Sequence, residues 1–272
     1  TRSFHVTGVQ TCALPILWRG LAVITSPRRL TYLGLEWARM RPLPGRKLVF
    51  ASAPLLDQFE AYYPDIREVS HVIPPGVWIP TQRMDRNAAR DELGWSPKLT
   101  WLLFVANDYQ RKGLDALLAA LQMLPAHVHV VVVGQTRQQS RYQSLMASLG
   151  LTDRVHFLGP RNDVEVLMNA ADLLVHPTLE DSFGMVALEA MAMGLPVVVS
   201  AAPYCGLSAE LTHLKDAWLL TDPRNSHALA DAIQQLLAQP DLRQVLRDGG
   251  LAQADARTWA LAAQKYEKIM GS

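Results

Sequence analysis

The run LTWLLFVAND at 99–108 is apolar almost without a break, and HVHVVVVG at 127–134 repeats the pattern. A strand with one solvated face alternates apolar and polar residues. A strand that is apolar throughout has helices over both faces, the condition of a parallel sheet inside an α/β domain. Shorter runs of the same kind follow at RVHFLG (154–159), DLLVHP (172–177) and PVVVS (196–200). Stretches with helical spacing separate them, at 86–93, 114–123, 141–149, 164–169 and 185–193. This alternation implies an α/β fold with a doubly wound, Rossmann-like parallel sheet, in which ligands sit outside the carboxyl ends of the strands.

Upstream, LVFAS (48–52) reads as a strand, APLLDQFEAYYP as a short helix ended by Pro64, and HVIPPGV (71–77) as a strand running into Pro74, Pro75 and Gly76. Proline fixes the backbone and glycine frees it, so 73–76 is expected to be a hinge between residues 17–72 and a main domain at 77–256. From His227 onward the pattern is helical, ending in a segment at 257–272 with Trp259 and Tyr266. Residues 6–16, VTGVQTCALPI, resemble the in-frame translation of a sequencing-adapter oligonucleotide. Residues 1–16 are therefore set aside as an artefact, and the genuine sequence is expected to start within a domain near Leu17.

Charge and composition remove several functions. A formal net charge of +1 offers no general attraction to nucleic-acid backbones. The longest apolar stretch, 14–24, is too short to cross a bilayer and holds Arg19. Cys12 and Cys205 have no nearby partner, which makes neither a zinc site nor a disulfide framework, and Cys205 is read as a packed small apolar residue. Charge is nonetheless uneven: Arg19, Arg28, Arg29, Arg39, Arg41, Arg46 and Lys47 face Glu36 alone. Residues 19–47 thus form either a solvated basic helix or a face toward an anionic acceptor or membrane leaflet.

Two loops at strand carboxyl ends carry the unusual residues. The first, 106–113, reads ANDYQRKG; Arg111 and Lys112 stand beside a helix N-terminus, whose free N–H groups also favour anions. Such a pair suits a diphosphate, with a planar fork beside a point charge, although two adjacent cations can simply be solvated. The second loop reads TLEDSFGM at 178–185 and opens the helix that holds Glu189. Ser182 is expected to cap that helix, and Gly184 to let a ligand approach the backbone. Asp181 and Glu189 are eight positions apart, about 10–12 Å at about 1.5 Å per residue, roughly the span from sugar to ribose in a nucleotide sugar. The plainer alternative makes Asp181 a partner of the helix dipole and Glu189 an ordinary exposed residue. Neither a G-x-G-x-x-G fingerprint, a G-x-x-x-x-G-K-S/T phosphate loop nor a G-x-S-x-G elbow occurs.

The segments IPPGV (73–77), RKG (111–113), VVGQ (132–135), VHFLGPRND (155–163), ADLLVHPTLEDSFGMVALEAMAMGLPVVVS (171–200) and YCG (204–206) resemble, in this order, the retaining family 4 glycosyltransferases of the GT-B fold. The likeness covers their C-terminal, nucleotide-sugar-binding half, and within the family it is most similar to bacterial lipopolysaccharide core glucosyltransferases. It implies a hexosyltransferase that moves glucose from UDP-glucose, with retention, onto a lipopolysaccharide core or related glycan or lipid-linked acceptor. By the same resemblance Arg111 and Lys112 hold the donor diphosphate and stabilise the leaving nucleotide. Asp181 falls on the first carboxylate of the family's E-x7-E pair, against the sugar, and Glu189 on the second, against the ribose. Ser182, Phe183, Gly184, Met185 and Val186 line the sugar and phosphate, and Arg161 with Asn162 lies where the base is read. No cofactor, no metal site and no protein nucleophile are implied.

Some residues depart from the family pattern. Asp181 is a methylene shorter than the usual Glu, and Glu180 beside it is a second candidate for the sugar contact. Asn107 and Asp108 stand where some members place a further phosphate-binding Arg. His176 matches a position read as structural rather than as the catalytic base. The resemblance also implies that 17–72 is the last part of an acceptor domain, that 257–272 crosses back onto it, and that the polypeptide as it stands binds donor only. The implied location is the cytoplasm, with peripheral contact at the inner face of the bacterial plasma membrane through 19–47. A nucleotide-sugar epimerase of the same fold and a non-catalytic nucleotide-binding module are the competing readings.

Overall fold

In a computed structural model, which describes residues 27–135 and 138–271, the five apolar runs and a further segment at 218–220 form six parallel strands. They are β3 (Thr100–Val105), β4 (Val128–Val133), β5 (Val155–Gly159), β6 (Leu173–His176), β7 (Val197–Ser200) and β8 (Trp218–Leu220), in the order β5-β4-β3-β6-β7-β8. Successive side chains leave a strand on opposite faces. Leu102, Phe104, Val130, Val132, Leu173 and Val175 therefore enter one core, while Trp101, Leu103, Val131, Val133 and Leu174 enter another. Burying an aliphatic side chain of this size contributes roughly 1.5–3 kcal/mol, so both cores hold the sheet between helical layers.

The first core is closed by α4 (Leu114–Leu121), α5 (Gln139–Leu149) and α8 (Ser226–Ala238). The second is closed by α6 (Val164–Ala170) and α7 (Met185–Ala192), with Leu93 and Trp95 at the end of α3 (Arg86–Leu93) and Ala254 of α9 (Pro240–Asp255). Asp85 caps α3 by accepting from the Asn87 and Ala88 amides at 2.9 and 3.3 Å. The chain leaves β3 toward β4 on one side, whereas β6 leads toward β7 on the other. The switch point between β3 and β6 is where such sheets open a ligand crevice.

Residues 27–72 build a separate small core of Met40, Phe50, Leu56, Phe59 and Ile66. Here α1 (Pro27–Met40) precedes a two-stranded parallel sheet of β1 (Leu48–Phe50) and β2 (Ser70–Val72), with α2 (Ala53–Glu60) and a 3-10 turn at Pro64–Val69 between them. The strand expected over 71–77 stops at Val72, because Pro74 and Pro75 have no N–H to donate. Beyond them the Val77 N–H donates to the Arg257 carbonyl at 2.8 Å. At Gly76 a Cβ would lie 2.3 Å from the Trp259 nitrogen, so only glycine fits there. The final helix, α10 (Trp259–Met270), follows, and its Ile269 carbonyl accepts from Lys47.

Helix α1 leaves Leu30, Tyr32, Leu33, Leu35 and Trp37 exposed. Among the described residues no helix is long and apolar enough to cross a membrane. The adapter-like residues 1–16 lie outside the described residues, as does Arg19.

Candidate functional site

The two loops singled out in the sequence meet because β3 and β6 are neighbours, with Leu102 opposite Leu173 and Leu103 opposite Leu174. Gly113 begins α4 at φ +82, and a Cβ there would stand 2.0 Å from the Pro177 carbonyl oxygen. That close approach brings loop 106–113 against loop 177–184. The Leu179 N–H then donates to the Arg111 carbonyl at 2.8 Å. On its other side the second loop is fastened to segment 204–206: Asp181 N–H to Tyr204 O at 2.8 Å and Gly206 N–H to Asp181 O at 3.0 Å.

At the junction, one carboxylate oxygen serves two donors. Asp181 Oδ2 accepts from Lys112 Nζ at 2.5 Å and from His176 Nε2 at 3.0 Å, and Lys112 Nζ also reaches the Glu180 carbonyl at 3.1 Å. Burial pushes the Asp181 carboxyl up, but the His176 hydrogen bond and the Lys112 charge outweigh it and hold it well below the usual carboxylate range. His176 is 1% exposed, and burial keeps its imidazole neutral against the pull of Asp181. With Nε2–H facing the carboxylate, Nδ1 is the unprotonated nitrogen, and it has no partner among the described residues.

This junction forms one wall of a cleft of about 300 Å³. Of the residues picked from the sequence, Lys112, Asp181, Ser182, Phe183, Gly184, Met185, Val186 and Glu189 line it together. Asn107 and His176 are added by the structure. Glu189 is exposed, and its carboxyl is raised by the surrounding protein and then by Glu165. At the start of α7 the Met185 and Val186 amides find no acceptor among the described residues, leaving them available to an anion.

Three of the expected site residues do not line this cleft. Arg111 ties the loops together through its backbone, and its guanidinium lies 3.4 Å from Asp108 Oδ2. Arg161 and Asn162 are exposed just past β5, and Arg161 pairs with Asp163. β5 is the sheet edge, two strands from β3 on the same carboxyl side.

The expected cap is corrected. Gly184, not Ser182, occupies the N-cap of α7, at φ +99 and without a side-chain cap. A Cβ there would sit 2.5 Å from Cys205 Sγ, so the glycine is required by packing as well as by conformation. Cys205 is buried, donates to the Phe183 carbonyl at 3.2 Å, and has its thiol pKa pushed up to about 12 by burial. The Ser182 carbonyl instead accepts from Ser52 Oγ at 2.7 Å, a contact from residues 27–72 to the cleft that no motif announced.

The family model for glycosyl transferases group 1 matches residues 85–252. The lipopolysaccharide glucosyltransferase WaaG of Escherichia coli K12 is 29% identical over 93% of this chain and 69% of its own length. The D-inositol 3-phosphate glycosyltransferase of Corynebacterium diphtheriae is 33% identical over 74% of the chain and 50% of its own length. Among solved structures, WaaG superposes with a TM-score of 0.81 at 28% identity, covering 93% of this chain and 70% of that one. Anabaena Alr3699/HepE in complex with UDP-glucose superposes at 0.75 and 25% identity, covering 90% and 69%.

Proposed function

This chain belongs to the glycosyl transferases group 1, and on that premise we propose that it serves a transferase moving glucose from UDP-glucose, with retention, onto a lipopolysaccharide core or related glycan. The single observation that carries the reading is the convergence of Lys112, Asp181 and the open amides of α7 on one cleft at the β3/β6 switch point. In support, HepE is described with UDP-glucose bound and WaaG as acting in lipopolysaccharide biosynthesis.

In this reading the donor diphosphate lies over the start of α7. Lys112 meets the charge that develops on the leaving nucleotide, a contribution that grows toward the transition state. Asp181, kept ionised by His176, faces the sugar. Glu189 accepts from the ribose hydroxyls, and Arg161 with Asn162 flanks the base from the β5 end. The reaction takes place on the cytoplasmic side, with the exposed apolar and basic surface of α1 resting on anionic lipid. Calorimetric titration of the protein with UDP, GDP and ADP tests the donor assignment. Tight binding of UDP alone is expected, and equal heats for the three nucleotides, or none, overturn it. The anomeric configuration of the product, read by NMR, tests retention.

A further inference from the structure

A second, larger cleft, about 570 Å³, opens on the opposite edge of the sheet. Its walls are the segments that lead into β6 and β7, at Ala171 and 193–195, the start of α3, and Arg247 from α9. It therefore lies at the amino end of β6, whose carboxyl end borders the first cleft, and of its neighbour β7.

Its charge is one-sided. Arg83, Arg86 and Arg247 line it against a single carboxylate, Asp85, whose oxygen is engaged in capping α3. Two more arginines stand close by, and both are occupied. Arg90 donates to the Ala170 carbonyl and to Asp172 at 2.8 Å each, and Arg243 donates to the carbonyls of Leu236 and Leu237. Arg83 likewise donates Nε–H to the Ala192 carbonyl at 2.9 Å, which leaves its terminal nitrogens. Arg86 has only a 3.2 Å share of Asp172, which Arg90 holds more closely. The Arg247 side chain lies over Gly194 and makes no hydrogen bond or ion pair among the described residues.

Such crowding of like charges is unfavourable. The surrounding protein weakens the hold of Arg86 on its proton, and after the opposing pull of Asp172 the charges of Arg90, Arg247 and Arg243 weaken it further. An excess of two positive charges over the lining carboxylate, carried on planar forks, matches a dianion whose oxygens accept several hydrogen bonds at once.

We propose that this amino-edge cleft is a binding site for a phosphate-bearing dianion, held by Arg86 and Arg247 with Arg83 at its rim. The site is separate from the donor cleft and does not depend on the proposed transfer reaction. The phosphate belongs either to a free phosphorylated compound or to a lipid headgroup, and both are recognised by the same forks.

The test uses the full chain carrying Lys112→Ala, which removes the cation of the donor cleft. Titration with pyrophosphate, followed by amide shifts in NMR, is expected to perturb Asn87 and Gly194 saturably and to weaken with added salt. Adding Arg247→Gln should reduce the affinity about tenfold or more. If that variant loses its fold by circular dichroism, the exposed Arg86→Gln carries the same expectation. Flotation with vesicles containing phosphatidic acid, a phosphomonoester that can carry two charges, separates the sources. Arginine-dependent capture assigns the phosphate to a headgroup, and pyrophosphate binding without capture assigns it to a free compound. If neither probe shows binding that depends on Arg247 or Arg86, the proposal is wrong.

Discussion

His176, inside the domain, and Lys112, from the neighbouring loop, share Oδ2 of Asp181, at 3.0 and 2.5 Å. One contact comes from a neutral ring and the other from a full charge, so they respond differently to the surroundings. In the proposed reading the ammonium is drawn toward the donor diphosphate, while the imidazole keeps the carboxylate in place.

Acid should destabilise the fold through both acidic and imidazole groups. Asp181 stays ionised to lower pH when folded than its ordinary value of 3.8, so its contribution is complete above that range and is lost as pH falls through the folded value. His176 takes a proton less readily when folded than its ordinary value of 6.5, so below about that pH the unfolded chain binds more protons and stability declines. Urea unfolding between pH 4.5 and 7.5 should show stability falling on acidification below about 6.5, and His176→Gln should flatten that slope. An unchanged slope in the variant would mean that His176 does not titrate on unfolding.

Lys112→Ala should weaken UDP binding by about tenfold or more, because a charge-assisted hydrogen bond contributes about 1.5–3 kcal/mol. Calorimetry of parent and variant reads this directly. Equal affinities would place the diphosphate elsewhere.

Glu189→Gln should separate nucleoside from phosphate recognition. A carboxylate accepting from ribose hydroxyls matters to UDP and not to pyrophosphate. With the amino-edge cleft disabled by Arg247→Gln, UDP affinity is expected to fall several-fold with pyrophosphate unchanged, and parallel losses for both ligands would contradict the ribose role.

Gly184→Ala should cost about 1–3 kcal/mol, since alanine at φ +99 is strained and its methyl meets Cys205 Sγ. Combining it with Cys205→Ala should recover part of the loss, which thermal melts of the two single variants and the pair will reveal. Strict additivity would show that the two side chains do not compete for one space.

The parallel sheet was legible because β3, β4, β6 and β7 are buried on both faces and so are apolar at nearly every position. β8 was not: its three residues, Trp218, Leu219 and Leu220, form a sheet edge and are too few to show a period. Lys112 and Asp181 were readable as separate signals, one beside a predicted helix start and one in a carboxyl-end loop. Their contact depends on β3 lying next to β6, a matter of strand order that no local pattern records. The Ser182 cap failed for a similar reason, because the packing of distant Cys205 selects glycine at the cap position. Ser52 gave no signal at all, since its cap of α2 is local and its bond to Ser182 spans two cores.

Val77 and Arg257 lie side by side: the Val77 N–H, just past the proline pair, donates to the Arg257 carbonyl, just ahead of the last helix. The segment that leaves residues 27–72 and the segment that enters α10 are therefore stapled to each other. Ser52 adds a tie to Ser182, and Lys47 a tie to Ile269. Residues 27–72 are thus clasped rather than hung from one connection, and the Ser52 clasp sets the distance from the small core to the mouth of the cleft.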